Sequence, residues 1–426
     1  MRRFKKLLKW TAVVLGAMIA VLLVLNAWYV WSTGTRLEQR LTSLREAGEP
    51  VQLADLERKP IPPETNAATY LRRAADDLDS MQKELTAWYP QSAYPAVPVP
   101  PGDREKIGKL LAAYPNVWPL LEQAAACPDY DPEIDYSVGS LVNRNLDELN
   151  RHRSAFRVMR ARSAWLVSQG RGDEAIQTML VMLRLSRHLQ REPLLIGYLV
   201  AVACGGTAMQ GANEVLQSGP VSPASRNALD AELALHDNVD GYRWALRSER
   251  ASVLAAMHEL PGYDFWLMRG MANDATLHAL AFFDQQLSDT ARPFAEVIAE
   301  EKAATQTQRR SGNMYQVVLA LLEPAVKAAR DAAERVRAMS RSLRVLNALQ
   351  ARATSGDAAP KLSELGLPEE VIRDPFNGQP LKFQRLPDGW MVYSVGRNLT
   401  NDGGKLDDAT DVGFGPIRPA NVQKKP

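Results

Sequence analysis

The chain has 426 residues, a formal net charge of +2, 46% hydrophobic and 23% charged residues, and two cysteines. This composition excludes wholesale disorder, and two cysteines exclude a disulfide framework or a cysteine-rich metal scaffold. The length points to two or three domains, and the small net charge excludes the broad basic surface of a nucleic-acid binder. The charge is unevenly placed. Arg2, Arg3, Lys5, Lys6 and Lys9 precede the first apolar run, and removing these five from +2 leaves −3 on the rest.

Trp10 to Trp31 (WTAVVLGAMIAVLLVLNAWYVW) carries no charge. About 20 apolar residues cross a bilayer as a helix. Trp10 marks one edge and Trp28, Tyr29 and Trp31 the other, where amphipathic rings favour the headgroup level. The preceding basic cluster should hold residues 1–9 in the cytoplasm. A cleaved signal peptide would have a shorter core of about 7–15 residues and a small-residue cleavage site. This run ends in bulky aromatics, and Leu25-Asn26-Ala27 is a poor cleavage signal. No Cys follows to carry a lipid. The expectation is an uncleaved, single-pass anchor at 10–31 in the inner membrane, with the bulk of the chain periplasmic.

Residues 32–60 read as stalk and linker. Leu37, Leu41 and Leu44 form one helical stripe that continues the anchor. Pro60, Pro62 and Pro63 interrupt it, and Glu64 to Trp88 is helical again. Residues 90–101 hold five prolines and cannot be regular structure. Asp103 to Ala113 and Asn116 to Ala126 read as short helices capped by Asp103 and Asn116. The whole of 61–354 reads as one extracytoplasmic helical domain.

Its centre is the strongest helical signal. Leu141 to Gln169 ends at Gly170; Asp173 would cap Glu174 to Gln190; Pro193 would open a helix to Gln217 at the first helical position. Ala164, Gly170 and Asp173-Glu174-Ala175-Ile176 resemble the junction of a tetratricopeptide-type helix pair, but an array needs repeats near a period of 34, and no second copy is present. Residues 193–213 carry no formal charge. The alternatives are a second membrane span and a buried core helix. Gly197, Gly205, Gly206 and Gly211, with Gln210 and Asn213 and no aromatic belt, favour the core helix. Further helices are expected from Ser222-Pro223 to His236, Val239 to Leu260, Asn273 to Ser288, Pro293 to Gln306, and Met314 to Arg352 with a break or kink at Pro324.

After a joint at Ser355 to Pro360 the texture turns to strand. Leu381–Leu386 and Trp390–Val395 are short β runs around the hairpin residues Pro387-Asp388-Gly389. A Gly- and Asp-rich stretch follows at 396–415, then a loose tail at 416–426. The fold class expected is mainly α: an N-terminal transmembrane helix, an irregular multi-helix body with one helix-hairpin of tetratricopeptide type, and a small antiparallel β module at 355–415.

Lys361-Leu362-Ser363-Glu364-Leu365, Asp374-Pro375-Phe376-Asn377-Gly378, Tyr393-Ser394-Val395-Gly396, and Asn401-Asp402-Gly403-Gly404 with Asp407, Asp408 and Asp411 occur in order. Together they resemble the C-terminal half of the type II secretion major pseudopilin, over about residues 335–415. Similar modules end many large bacterial envelope proteins that combine an N-terminal anchor with a helical middle. The prepilin cleavage pattern is missing: no Phe follows Gly16 and no Glu lies in the span. The resemblance therefore implies a fold for the tail, not a filament subunit. It also implies calcium at the acidic loop, with Asn398, Asp402, Asp407, Asp408 and Asp411 as ligands. Calcium wants six to eight oxygens, and Asn398, Thr400 and Asp402 follow half of a calcium-loop spacing. Ala409 stands where an EF-hand needs Glu.

Other clusters are weaker. Asp129, Asp131, Glu133 and Asp135 form an acidic loop. His152, His188, His236, His258 and His278 show no metal spacing, and His258-Glu259 lacks a second His at Gly262. No nucleophile elbow, P-loop or dinucleotide fingerprint is present. Arg243, Arg247, Glu249 and Arg250 crowd one helix, as an ion-pair network or an anion pocket. Cys127 and Cys204 would be permitted a bridge outside the cytoplasm. The function expected is a membrane-anchored structural or interaction protein with an unidentified protein partner and no nucleic acid. The alternatives are a hydrolase using carboxylates on helices and an accessory part of a secretion or pilus-like apparatus.

Overall fold

The computed structural model describes residues 2–90, 94–134, 141–259, 263, 265–305, 314–353, 361–407 and 409–416. Among them stand twelve α-helices and one three-stranded antiparallel sheet near the C-terminus. The chain divides into two compact units.

The first unit comprises residues 1–57, 246–288 and 309–325. Helix α1 (Arg2–Glu46) runs unbroken through anchor and stalk. At 1.5 Å per residue it is about 68 Å long, and its apolar run alone covers about 33 Å, enough to cross a membrane. Residues 10–25 are exposed throughout. Beyond the run, Leu37, Leu44 and Val51 bury against Leu254 and Leu280, with Leu41 and Leu277 packed alongside. Here α1 meets α9 (Asp240–Glu259, of which 246–259 belong to this unit) and α10 (Trp266–Asp289). The crowded arginines of α9 make ion pairs: Arg250 reaches Glu49 at 2.8 Å and Asp284 at 4.0 Å, and Arg247 reaches Glu49 at 3.2 Å.

The second unit holds residues 58–245, 289–308 and 326–426. Its first helices are α2 (Ala67–Trp88), α3 (Pro101–Ala113), α4 (Val117–Ala126), α5 (Leu141–Ser168), α6 (Gly172–Leu189) and α7 (Leu195–Ser218). Then come α8 (Pro223–Ala234), α11 (Phe294–Thr305) and α12 (Met314–Ala353, of which 326–353 belong to this unit). α7 is a core helix, with Tyr198, Ala201, Cys204, Ala208 and Met209 all buried. Its glycines work by close approach, since a Cβ on Gly211 would strike the Arg160 guanidinium and the Met179 sulfur. Ser222 caps α8, accepting from the Ser225 N–H, and Asn66 caps α2, accepting from Ala68.

Four helix starts differ from expectation. Pro101, not Asp103, opens α3, because its fixed φ and missing N–H suit the first helical position. Asp173 lies in the first turn of α6 and accepts the Ser222 N–H across the unit at 2.9 Å. Pro193 stays outside α7, where Leu194 turns the chain at φ 76°. α10 begins at Trp266, a full two turns earlier than the sequence suggested. Pro324 lies inside α12.

α12 is tied to the α8 region by a run of ion pairs. Arg344 grips Asp230 with two bonds of 2.8 and 3.0 Å, and Arg341 and Arg337 share Asp237 at 2.7 and 3.1 Å. Ser340 donates to the Leu233 carbonyl between them. Strands β1 (Lys382–Leu386), β2 (Gly389–Ser394) and β3 (Val412–Phe414) follow in the order β1-β2-β3. β3 emerges from the stretch read only as Gly- and Asp-rich. Gly413 lets it approach, as a Cβ there would strike the Val392 carbonyl and Tyr393 backbone.

Candidate functional site: a cleft beside the C-terminal module

Asp374 organises the C-terminal module. Its carboxylate is 2% exposed and accepts from Phe376 N–H, Ser394 Oγ–H and Val395 N–H at 2.8–2.9 Å. Burial pushes its pKa up, while the same hydrogen bonds and Arg341 pull the other way. The turn aims Phe376 into a small core with Phe294, Ala338 and Val412. The Asp-Pro-Phe-Asn-Gly sequence thus fastens a turn to the end of β2.

The acidic loop is held by its own hydrogen bonds. Asp411 is fully buried and accepts Asp402 N–H at 3.2 Å and Gly404 N–H at 2.7 Å, one on each oxygen. Asp407 Oδ1 accepts Ala409 and Thr410 N–H, which lowers its pKa. Asp402 Oδ2 takes the Asn398 amide at 2.7 Å, and the Asn398 carbonyl oxygen takes Thr400 N–H. Asp408 lies outside the described residues. No three acidic, histidine or cysteine side chains among the described residues group closely enough to hold one metal ion. Asp402, Asp407 and Asp411 spend these oxygens on hydrogen bonds within the loop.

Instead, Asp402, Asp407 and Asp411 line a cleft of about 780 Å³ whose other wall is α7 and α12, through Gln210, Glu214 and Arg335. Glu214 is gripped by the buried Arg160 at 2.6 Å, and Lys405 stands 3.7 Å from Asp407. A second cavity of about 420 Å³ shares Gln210, Arg335 and Met339 with the first. Apart from Arg160, its remaining walls are apolar or small, including Leu199, Val202, Gly206 and Val336. One end of the joined cleft is thus polar and carries more acids than bases, and the other is greasy. Glu214 and Arg335 were not foreseen. Their signal was present, since Thr207, Gln210 and Glu214 recur at three and four residues along an otherwise apolar run.

The remaining sequence candidates are absorbed into structure. Asp129 pairs with Arg191 at 3.3 Å, Glu133 with Arg72 at 3.0 Å, and the nearly buried Asp131 caps Glu133 N–H; Asp135 lies outside the described residues. His152 and His188 pack around the buried Tyr130 ring. Burial together with Arg191 and Arg187 lowers His188 to about 4, and burial lowers His236 to about 3. His258 packs on Tyr263 and His278 bonds the Asp274 carbonyl. Arg243 lies in the second unit, 2.8 Å from Thr290 Oγ1. Cys127 and Cys204 are free thiols, and burial pushes Cys204 up to about 12.

A further cavity of the second unit, about 610 Å³, is walled by Arg58, Arg187, Arg191, Leu235 and Trp244. Among the described residues Arg58 donates to the carbonyls of Tyr130 and Arg191. Arg187 and Arg184 share the single carboxylate of Glu232.

Compared with known protein families, curated proteins and solved structures, the chain matches none.

Proposed function

We propose that this chain is a single-pass protein of the bacterial inner membrane, anchored by residues 10–31 with its N-terminus in the cytoplasm. Its body is a periplasmic binding module without catalytic chemistry of its own. The observation that carries the binding role is the joined cleft, polar and acid-rich at one end and apolar at the other. Its occupant is a short segment of a partner protein bearing apolar side chains next to a basic one. The module at 361–416 serves as a pseudopilin-like structural element that closes the polar end. The anchor rests on the charge-free span, its aromatic edges and the basic residues before it.

Site-specific cross-linking in native membranes tests the binding role. A photoreactive side chain is placed at Thr207 in the cleft, or at the exposed Glu105 on α3 as a control. We expect a protein adduct from Thr207 alone, whose captured peptide carries Lys or Arg beside apolar residues. Capture of acidic segments, of lipid only, or equal capture from Glu105 would contradict the proposal.

A further inference from the structure

α10 runs parallel to α1 and in step with it. Asn26 Nδ2 donates to the Trp266 carbonyl at 3.3 Å, Asn273 meets Thr33 at 3.4 Å, and Arg40 meets Asp284 at 2.5 Å. The partners are 240, 240 and 244 residues apart, so neither helix slides along the other. Gly270 fits against the Tyr29 ring, where a Cβ would collide. The first turn of α10 is therefore level with Asn26. That is five residues, about 7 Å, inside Trp31 along the α1 axis.

At this level an uncovered apolar patch surrounds the start of α10. Phe265 is 52% exposed, Trp266 45%, Leu267 43% and Met271 37%. Contiguous exposed apolar patches mark interaction surfaces. Tryptophan and phenylalanine beside a basic residue suit the headgroup boundary, and Arg269 supplies the base. The Asn26 amide, costly in hydrocarbon if unpaired, has a carbonyl of the same α10 turn as partner.

We propose that the first turns of α10, through Phe265, Trp266, Leu267 and Met271, lie in the outer interfacial layer of the same bilayer that α1 crosses. α1 then spans, while α10, parallel to it, dips only its first turns into the interface and runs outward from there. This inference rests on the anchor reading, and one experiment separates the two. The full chain in a Cys127→Ser background receives single cysteines by Leu15→Cys, Leu267→Cys or Glu105→Cys. Each is labelled with the environment-sensitive dye NBD and reconstituted into phosphatidylcholine liposomes, with or without lipids brominated at a shallow or a deep acyl position. The dye at 15 should be quenched best by deep bromines, the dye at 267 best by shallow ones, and the dye at 105 by neither. A quenched dye at 15 with a water-exposed, unquenched dye at 267 would overturn this inference and leave the anchor standing. A dye at 267 shielded from water but unquenched would also overturn it, by pointing to a protein partner. An unquenched dye at 15 would remove the anchor and this inference together.

A second inference comes from the arginine-walled cavity and does not depend on the anchor. Asp129 is paired with Arg191, and Asp240 lies 3.5 Å from Arg243. Arg58 has no carboxylate partner among the described residues, and Glu232 neutralises one of its two arginines. Unneutralised guanidinium charge thus faces a cavity that also has an indole wall. Guanidinium forks match the oxygens of phosphate and carboxylate. We infer that this cavity binds a small molecule carrying an oxyanion on an aromatic or apolar body. Titration calorimetry on the full chain in detergent micelles tests it with phenyl phosphate, inorganic phosphate and benzyl alcohol. Phenyl phosphate should bind most tightly and benzyl alcohol not at all. Arg58→Gln should weaken it by about tenfold, as expected for one lost charged hydrogen bond, with the melting temperature kept. Arg187→Gln serves if Arg58→Gln does not fold, since Arg184 still covers Glu232. Absence of phenyl phosphate binding, equal binding of benzyl alcohol, or an unchanged affinity in the arginine variant would overturn the assignment.

Discussion

Asp374 shows what one residue can decide. The sequence around it reads plainly as a turn, but its bonds to Ser394 and Val395 cross about twenty residues and leave no local trace. Asp374→Ala would leave two backbone N–H groups and a hydroxyl unpaired in a buried place. We expect a loss of about 3 kcal/mol, with faster hydrogen exchange at 376–396 read by mass spectrometry. Asp411 is the matching post of the acidic loop. Because its oxygens already hold two backbone amides, we expect millimolar calcium to leave the melting temperature unchanged, while Asp411→Ala lowers it. A calcium-induced rise in melting temperature in the parent chain, absent in the variant, would contradict this. His188 and His236 set a pH dependence. Their folded pKa values, about 4 and about 3, lie below the ordinary 6.5, so the unfolded chain binds protons first. Their contribution is complete above pH 6.5 and shrinks as the pH falls toward 4. Melting from pH 7 to 4 should show this decline, and His188→Phe should flatten part of it.

At the scale of elements, hydrophobic periodicity was readable and partner choice was not. α7 announced itself by an uncharged stretch, and its glycines correctly favoured a core position over a second span. β3 was invisible because three residues, Val412-Gly413-Phe414, carry no alternation and owe their strand to pairing with β2. The start of α3 moved because Pro101 outweighed a side-chain cap, and that of α7 because the backbone turn at Leu194 outweighed Pro193. Nothing local in the sequence marks the arginines of α12, yet Arg341 and Asp237 form a pair that is 9% and 7% exposed. Arg337 keeps Glu334 when Asp237 is removed, but the buried Arg341 charge is stranded. We therefore expect Asp237→Leu to cost about 3 kcal/mol in urea unfolding, and Asp237→Leu with Arg341→Met to recover much of it. Equal stability of the single variant and the parent would argue that the pair is solvated.

At the scale of the whole molecule, the compact units are assembled from distant stretches: 1–57 joins 246–288 and 309–325 in one, and the intervening segments form the other. A reading along the chain recovers helices and their stripes but not this interleaving, because leucine spacing says that Leu37 and Leu44 are buried, not that Leu254 and Leu280 bury them. The candidate cleft was half legible for the same reason. Its acids were visible as a cluster, whereas Glu214 and Arg335 come from helices remote in sequence. The central claim is the anchored topology, and thiol accessibility tests it most directly. A cysteine is placed at Ala203, exposed on α7, and another at the N-terminal Lys5, in the Cys127→Ser background. Intact spheroplasts are then treated with a membrane-impermeant maleimide. The account predicts labelling at 203, protection at 5 until the membrane is opened, and retention of the chain in carbonate-washed membranes. Protection at 203 with labelling at 5, or release of the chain into the carbonate wash, would contradict it.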